Sequence, residues 1–342
     1  MVRTKKLFPE ANLTLVVDNL KVKLKNDLGQ LVNIHLYIRD KRIIDRLFSK
    51  SKLDTDFRKG FWQFSIERFF ALSDYHKTIP NQPLLHFESD LIIFPNFPFS
   101  EISSQKSLIW CKYNQSRDVG SLHFSPNFQE SDWLCGEIFE GIYNNPLHTD
   151  MTILQEIRKV NSYRIKTFPI LESTTNTLFN IQQPFTFEQI SFGDIQLKTG
   201  GIFDSAPIGM WLLGQDPRNH YGIKFLHDTK IFISDKCYIN PSLGNYVIDK
   251  SGSIYLKNGD ISIPIFCLHV HSKEIRLFNE KSITNLSRYI ALGSVKNLQK
   301  RFIFSSLINE TIMQIKKQNA IKYLAYSPPF RRITTASKRI FS

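Results

Sequence analysis

Alternation of apolar and polar positions divides the chain into short segments. In "VNIHLYIRD" (32–40) the alternation and the β-branched residues predict a strand, and "KRIIDRLFSKS" follows as a helix. In "GFWQFSIERFFALSDYHKT" (60–78), Trp62, Ile66, Phe69, Phe70 and Leu72 fall on one face of a helix. "NQP" ends it, and "LLHFESDLIIF" follows as a nearly continuous apolar run that reads as a buried strand. "HTDMTILQEIRKV" (148–160) predicts an amphipathic helix with Thr149 and Asp150 as cap candidates. Residues 165–205 read as loop-rich and end in Gly200-Gly201. "GNYVIDKSGSIYLKNGDISIPIFCLHVHSK" (244–273) predicts short strands separated by Ser251-Gly252 and Asn258-Gly259 turns. Past about residue 280 the pattern turns helical and basic. Strand, helix, helix, buried strand predicts an α/β fold with a sheet that is at least partly parallel.

The run "LLHFESDLIIF" carries charge where charge is costly. On one strand, residues i and i+2 share a face, so Glu88 and Asp90 are expected to point the same way near the strand's C-terminal end. That end is where open α/β sheets bind ligands. Two adjacent carboxylates repel, and burying them unpaired is expensive. A hard divalent cation, Mg²⁺ or Mn²⁺, relieves both costs and takes phosphate oxygens as its remaining ligands. The plainer alternative is an exposed strand end with solvated acids. In "IFCLHVHSK", His269 and His271 again share one strand face, with Lys273 two residues on. One imidazole could complete the metal's coordination and Lys273 could meet a phosphate, although a lone strand histidine is more often a core residue. In "TGGIFDSAPIGMWLLGQDPRNHYG" (199–222), Gly200, Gly201, Gly209 and Gly214 permit close approach, while Asp204, Asp216, Arg218, Asn219 and His220 supply polar groups. The segment is neither a GxGxxG nor a P-loop; it reads as an active-site loop or as a "DPRN" turn.

Composition adds one asymmetry. The 342 residues, 42% hydrophobic and 22% charged, suit one large domain or two modest ones. No apolar run is long enough for a transmembrane helix, and the N-terminus lacks the apolar core of a signal peptide. The four cysteines are scattered with no CxxC pair, which predicts reduced, mostly buried thiols in a cytoplasmic protein. The net charge is +13, but residues 281–342 hold twelve Lys/Arg against one acid, Glu310, a balance of +11. The first 280 residues carry 32 basic and 30 acidic groups. The basicity therefore belongs to a C-terminal extension.

Taken in order, "GFWQFSIERFFALSDY", "LLHFESDLIIF", "FDSAPIGMWLLGQDPRN" and "LHVHSK" resemble the motifs of bacterial GT-A-type glycosyltransferase-like proteins, over roughly residues 32–280. The resemblance implies a GT-A-like mixed sheet flanked by helices over 1–280, with 1–31 as lead-in and 281–342 as a basic, mainly helical extension. It implies that Glu88-Ser89-Asp90 acts as an Asp-x-Asp-like motif holding Mn²⁺ or Mg²⁺ on a sugar nucleotide's diphosphate, with glutamate where aspartate is commoner. It further implies His269 or His271 as the completing ligand and Lys273 on phosphate. Arg68 and Lys59 are implied donor contacts, beside Gly200, Gly201, Arg218 and Asn219 in the glycine-rich segment. Asp204 and Asp216 fall where acceptor contacts or a catalytic carboxylate are expected. The implied partners are a nucleoside diphosphate sugar and a glycan or lipid-linked acceptor, in cell-surface polysaccharide assembly.

Three rivals are weighed against this reading. A metal-dependent nuclease would use the positive charge, but that charge lies outside the presumed catalytic half. A mononuclear iron oxygenase would need two histidines and a carboxylate in a different order. A non-catalytic binding protein on a transferase fold stays open because of the glutamate. In "KNLQKRFIFSSLINETIMQIKKQNAIKYL" (296–324), apolar residues lie among cations. This reads either as a helix packed on the domain or as a helix lying on an anionic membrane surface, at the inner face.

Overall fold

Leu108–Asn114 (β5) is the seven-residue strand around which the two halves of the core form. Its side chains alternate between faces, so Leu108 and Trp110 pack among helices while Ile109 and Cys111 pack on the other side. The computed structural model describes residues 2–18, 32–38, 40–54, 57–58, 60–114, 116–171, 190–191, 194–195, 197–198, 200–209, 245–258 and 260–270. The expected C-terminal extension 281–342 lies outside these residues.

Val2–Leu7 (α1) leads into a parallel pair, Thr14–Val17 (β1) and Asn33–Leu36 (β2). Lys41–Ser49 (α2) follows, capped by the Asp40 carboxylate, which accepts the N–H groups of Arg42 and Ile43. Phe61–His76 (α3) is the helix expected from its apolar spacing; Ile66, Phe69 and Leu72 are buried. Leu84–Phe87 (β3) and Leu91–Ile93 (β4) come next, then Phe99–Ser103 (α4). Arg117–Ser125 (β6) follows β5, and Phe128–Asn144 (α5) follows β6. Asp150–Val160 (α6) starts from Thr149, whose capping box with Thr152 satisfies two orphan N–H groups. Ile165–Thr167 (β7), Ile170–Leu171 (β8) and Ile190–Ser191 (β9) precede Asn245–Ile248 (β10), Ile254–Asn258 (β11), Ile261–Ile265 (β12) and Cys267–His269 (β13).

The largest sheet runs β3-β6-β5-β7, antiparallel except for the parallel β5–β7 pair. The chain is thus α/β with mixed sheets. One face of this sheet is covered by α2, α3, α5 and α6 through Leu47, Ile66, Phe69, Leu134, Ile138 and Leu154. The other is covered by Leu91 and Ile93 of β4, Cys267 of β13, and Ile195, Leu197, Phe203 and Phe266. Burying each such side chain contributes about 1.5–3 kcal/mol. β10, β11 and β12 form the antiparallel meander expected from the turns at 251–252 and 258–259.

The apolar run "LLHFESDLIIF" is not one strand. It breaks after Phe87, turns through Glu88–Asp90 with the Leu91 N–H bonded to the Glu88 carbonyl at 3.0 Å, and resumes as β4. β3 pairs with β6, whereas β4 pairs with β13, so the two halves serve different sheets. A continuous strand would bury both carboxylates among apolar neighbours; the turn moves them out of the ladder.

α6 is locked to β6 by charge. Arg158 donates to both oxygens of Asp118, at 2.5 and 3.0 Å, and the Trp110 indole N–H donates to the same carboxylate at 2.8 Å. Asp118 is fully buried. Asp118→Ala should therefore cost about 3–5 kcal/mol of stability, because it leaves a largely buried guanidinium without its counter-charge. Urea unfolding measures this directly, and a loss below about 1 kcal/mol would contradict it.

Candidate metal centre

Glu88, Asp90 and His269 come together where the turn after β3 meets the end of β13. Each offers a ligand atom, and these atoms all lie within 4.8 Å of one another. Two backbone bonds seat the turn: the Glu88 N–H donates to the Ser121 carbonyl at 2.9 Å, and the Val270 N–H donates to the Asp90 carbonyl at 2.8 Å. The Ser121 carbonyl belongs to the stretch of β6 where the β5–β6 register shifts, as bulges do when they re-aim a backbone. His269 pairs with Leu91 across the β4–β13 ladder, which sets its Nε2 3.3 Å from Asp90 Oδ2 and 3.9 Å from Glu88 Oε2.

Arg68, from the middle of α3, completes the cluster. Its guanidinium pairs with Glu88 Oε1 and donates to Asp150 Oδ2 at 2.8 Å. Asp150 occupies the first position of α6, where the helix dipole favours an acid. Burial lowers the Arg68 pKa, while Asp150 and Asp90 hold it up, and a guanidinium stays charged under such opposition. Three carboxylates thus gather round one guanidinium. Glu88 divides its two oxygens: one is fixed by Arg68, and the other faces Asp90 and His269. Such outer contacts orient a ligating carboxylate.

The residues expected at the site fall into three groups. Glu88, Asp90, His269 and Arg68 meet, and line one cleft of about 2120 Å³ with Asp150, Ser205 and Ala206. Arg68 was expected as a donor contact; its guanidinium is committed to carboxylates. Gly200, Gly201 and Asp204 do not line this cleft, although Ser205 and Ala206 beside them do. Gly200 is at a turn with φ of 61°, and Gly201 is buried so tightly that a Cβ would lie 2.2 Å from the Phe266 ring. Asp204 is fully buried, and its two oxygens accept four backbone N–H groups, so it is not placed to take a proton from an acceptor. Burial raises its pKa, and those N–H groups oppose the rise. Lys59, Asp216, Arg218, Asn219, His271 and Lys273 lie outside the described residues. Asp150, read from the sequence only as a cap, joins the cluster through Arg68, 82 positions away. The three described cysteines, Cys111, Cys135 and Cys267, are free and buried as expected. Among the described residues no helix is long and apolar enough to cross a membrane.

No protein-family model, curated protein or solved structure matches the chain.

Behind Arg68, His86 and His123 face each other across the β3–β6 pair. His123 is almost fully buried, packs against Phe69 and Trp110, and makes no ring hydrogen bond among the described residues. Burial, then the nearby Arg68 and His76, lower its pKa from 6.5 to about 3. The unfolded chain takes up this proton near pH 6.5 and the folded chain only near about 3, so the unfolded state binds more protons between them. Stability should therefore fall as pH drops through that window, with a slope approaching about 1.4 kcal/mol per pH unit from this group. Unfolding by urea at several pH values between 6.5 and 4.5 should show a shallower slope in His123→Gln than in the parent; identical slopes would contradict it.

Proposed function

We propose that the chain is a metal-dependent glycosyltransferase, in which Glu88, Asp90 and His269 hold a divalent cation and the cleft receives a nucleoside diphosphate sugar. The observation that carries this reading is the meeting of two carboxylates and an imidazole within 4.8 Å at the wall of a large cleft. The donor chemistry fits Mn²⁺ or Mg²⁺: hard oxygen ligands dominate, and the set has two carboxylates and one histidine where non-haem iron oxygenases use the reverse.

When bound, the cation supplies positive charge against the leaving diphosphate. The chain's own residues prepare that contact. Arg68 holds one oxygen of Glu88, so the other stays aimed at the ligand cluster. The β4–β13 ladder fixes His269 beside Asp90. Further along the cleft, Phe61, Trp62, Ser65 and Tyr75 line the same helix as Arg68 and supply apolar and polar surface for a substrate. The acceptor is proposed to be a glycan or lipid-linked glycan, with the +11 segment 281–342 on an anionic membrane surface at the inner face of the membrane. The GT-A-like form of the fold belongs to the same proposal.

Thermal unfolding with nucleoside diphosphates and their sugars, each with and without Mn²⁺, tests the reading. A ligand at about a hundred times its Kd stabilises by about 2.7 kcal/mol. The expected result is a shift with one nucleotide only when Mn²⁺ is present, and its loss in the Glu88→Ala, Asp90→Ala double variant. A metal-dependent shift that survives in the folded double variant would overturn the assignment of the ligands. No shift with any nucleotide would overturn the transferase reading.

A further inference from the structure

Asp204 is a fully buried carboxylate whose two oxygens accept four backbone N–H groups. Its Oδ1 accepts the N–H groups of Ala206 at 2.9 Å and Ile208 at 3.0 Å. Its Oδ2 accepts those of Gly209 at 2.8 Å and His269 at 3.0 Å. Three of these donors are local and wrap the chain around the carboxylate, as in a helix N-terminus, for Pro207, Ile208 and Gly209 are helical. The fourth comes from 65 positions away and belongs to a metal-ligand candidate.

The same turn touches His269 a second time. Gly209 lies so close that a Cβ there would fall 1.9 Å from the His269 carbonyl oxygen. Only a residue without a side chain allows this approach. On the following residue, the Val270 N–H donates to the Asp90 carbonyl. The His269 peptide is thus held between two carboxylate-bearing segments, 204–209 on one side and the Glu88–Asp90 turn on the other. The turn also carries strain, with Ala206 at φ of 134°, a conformation that persists only when its surroundings over-determine it.

We infer that Asp204 is a positioning residue for the metal centre: through its bond to the His269 N–H it sets the third ligand, and it ties the 204–209 turn, part of which lines the cleft, to occupancy of the site. The inference rests on the metal reading of Glu88, Asp90 and His269. A neutral amide at position 204 keeps the shape but turns one acceptor oxygen into a donor facing two N–H groups. The histidine then loses its register relative to Asp90, with no metal ligand removed.

Isothermal titration of Mn²⁺ into the full chain, the Asp204→Asn variant and the Glu130→Gln variant separates positioning from general stability. Glu130 pairs with Arg164 through both oxygens and does not line the cleft, so its variant lowers stability without touching the cluster. The expected result is a 10–100-fold weaker Mn²⁺ affinity in Asp204→Asn, the usual range for outer contacts of a metal site, with Glu130→Gln close to the parent. Equal Mn²⁺ affinity in Asp204→Asn and the parent would overturn the inference while leaving the metal centre standing. Equal loss in both variants would also overturn it, as a stability effect. No binding by the parent would overturn the metal reading itself. Hydrogen exchange of the unsubstituted chain keeps the idea testable if Asp204→Asn fails to fold. Mn²⁺ should slow exchange of the Ala206, Ile208 and Gly209 amides, which lie off the ligand set; unchanged exchange there would overturn the coupling.

Discussion

Three carboxylates around one guanidinium set the terms for the rest of the structure. Like charges at this separation repel once water is partly excluded, and Arg68 stands between them: it pairs with Glu88 and Asp150, and Asp90 raises its pKa. The fold keeps them there with rigid supports. α3 is clamped by a buried apolar stripe, α6 is tethered to β6 through Asp118 and Arg158, and β3 hands the chain to the turn at Glu88. So supported, Glu88 and Asp90 form with His269 a group whose spacing suits a metal ion.

The pairing of β4 with β13 is a small element with a large consequence. Three residues a side give little stability alone. Its neighbours lengthen it: the Phe94 N–H bonds to the Phe266 carbonyl at one end, and the Val270 N–H to the Asp90 carbonyl at the other. The parallel bridge between Ile202 and Ile265 and the packing of Gly201 on Phe266 bring the 200–204 segment alongside. The glycines and Asp204, which sequence reading assigns to substrate, thus work one layer back. Glycine is needed there for close packing, and the aspartate gathers backbone donors.

Much of the secondary structure is legible in the chain. The periodicity of 60–78, the Thr149 cap and the Ser251-Gly252 turn correspond to local chemistry, and the elements follow them. Glu88, Asp90 and His269 are also legible as candidate ligands, because carboxylates two apart and a strand histidine are unusual among apolar residues. The path of the chain between the two acids is less so. An apolar run with a polar triplet reads equally as one strand or as two strands and a turn, and only the different partners of β3 and β4 decide between them.

By itself, the sequence determined that this is an α/β protein with a concentrated acidic motif, a candidate histidine partner and a basic C-terminal tract. Those properties follow from residue type and short-range spacing. Only the tertiary structure decided that Arg68 and Asp150 join the acids, that one oxygen of Glu88 is held while the other is presented, and that Asp204 serves a backbone. These contacts join residues 20 to 82 positions apart. Their pairing depends on how sheets and helices stack, which no local pattern encodes.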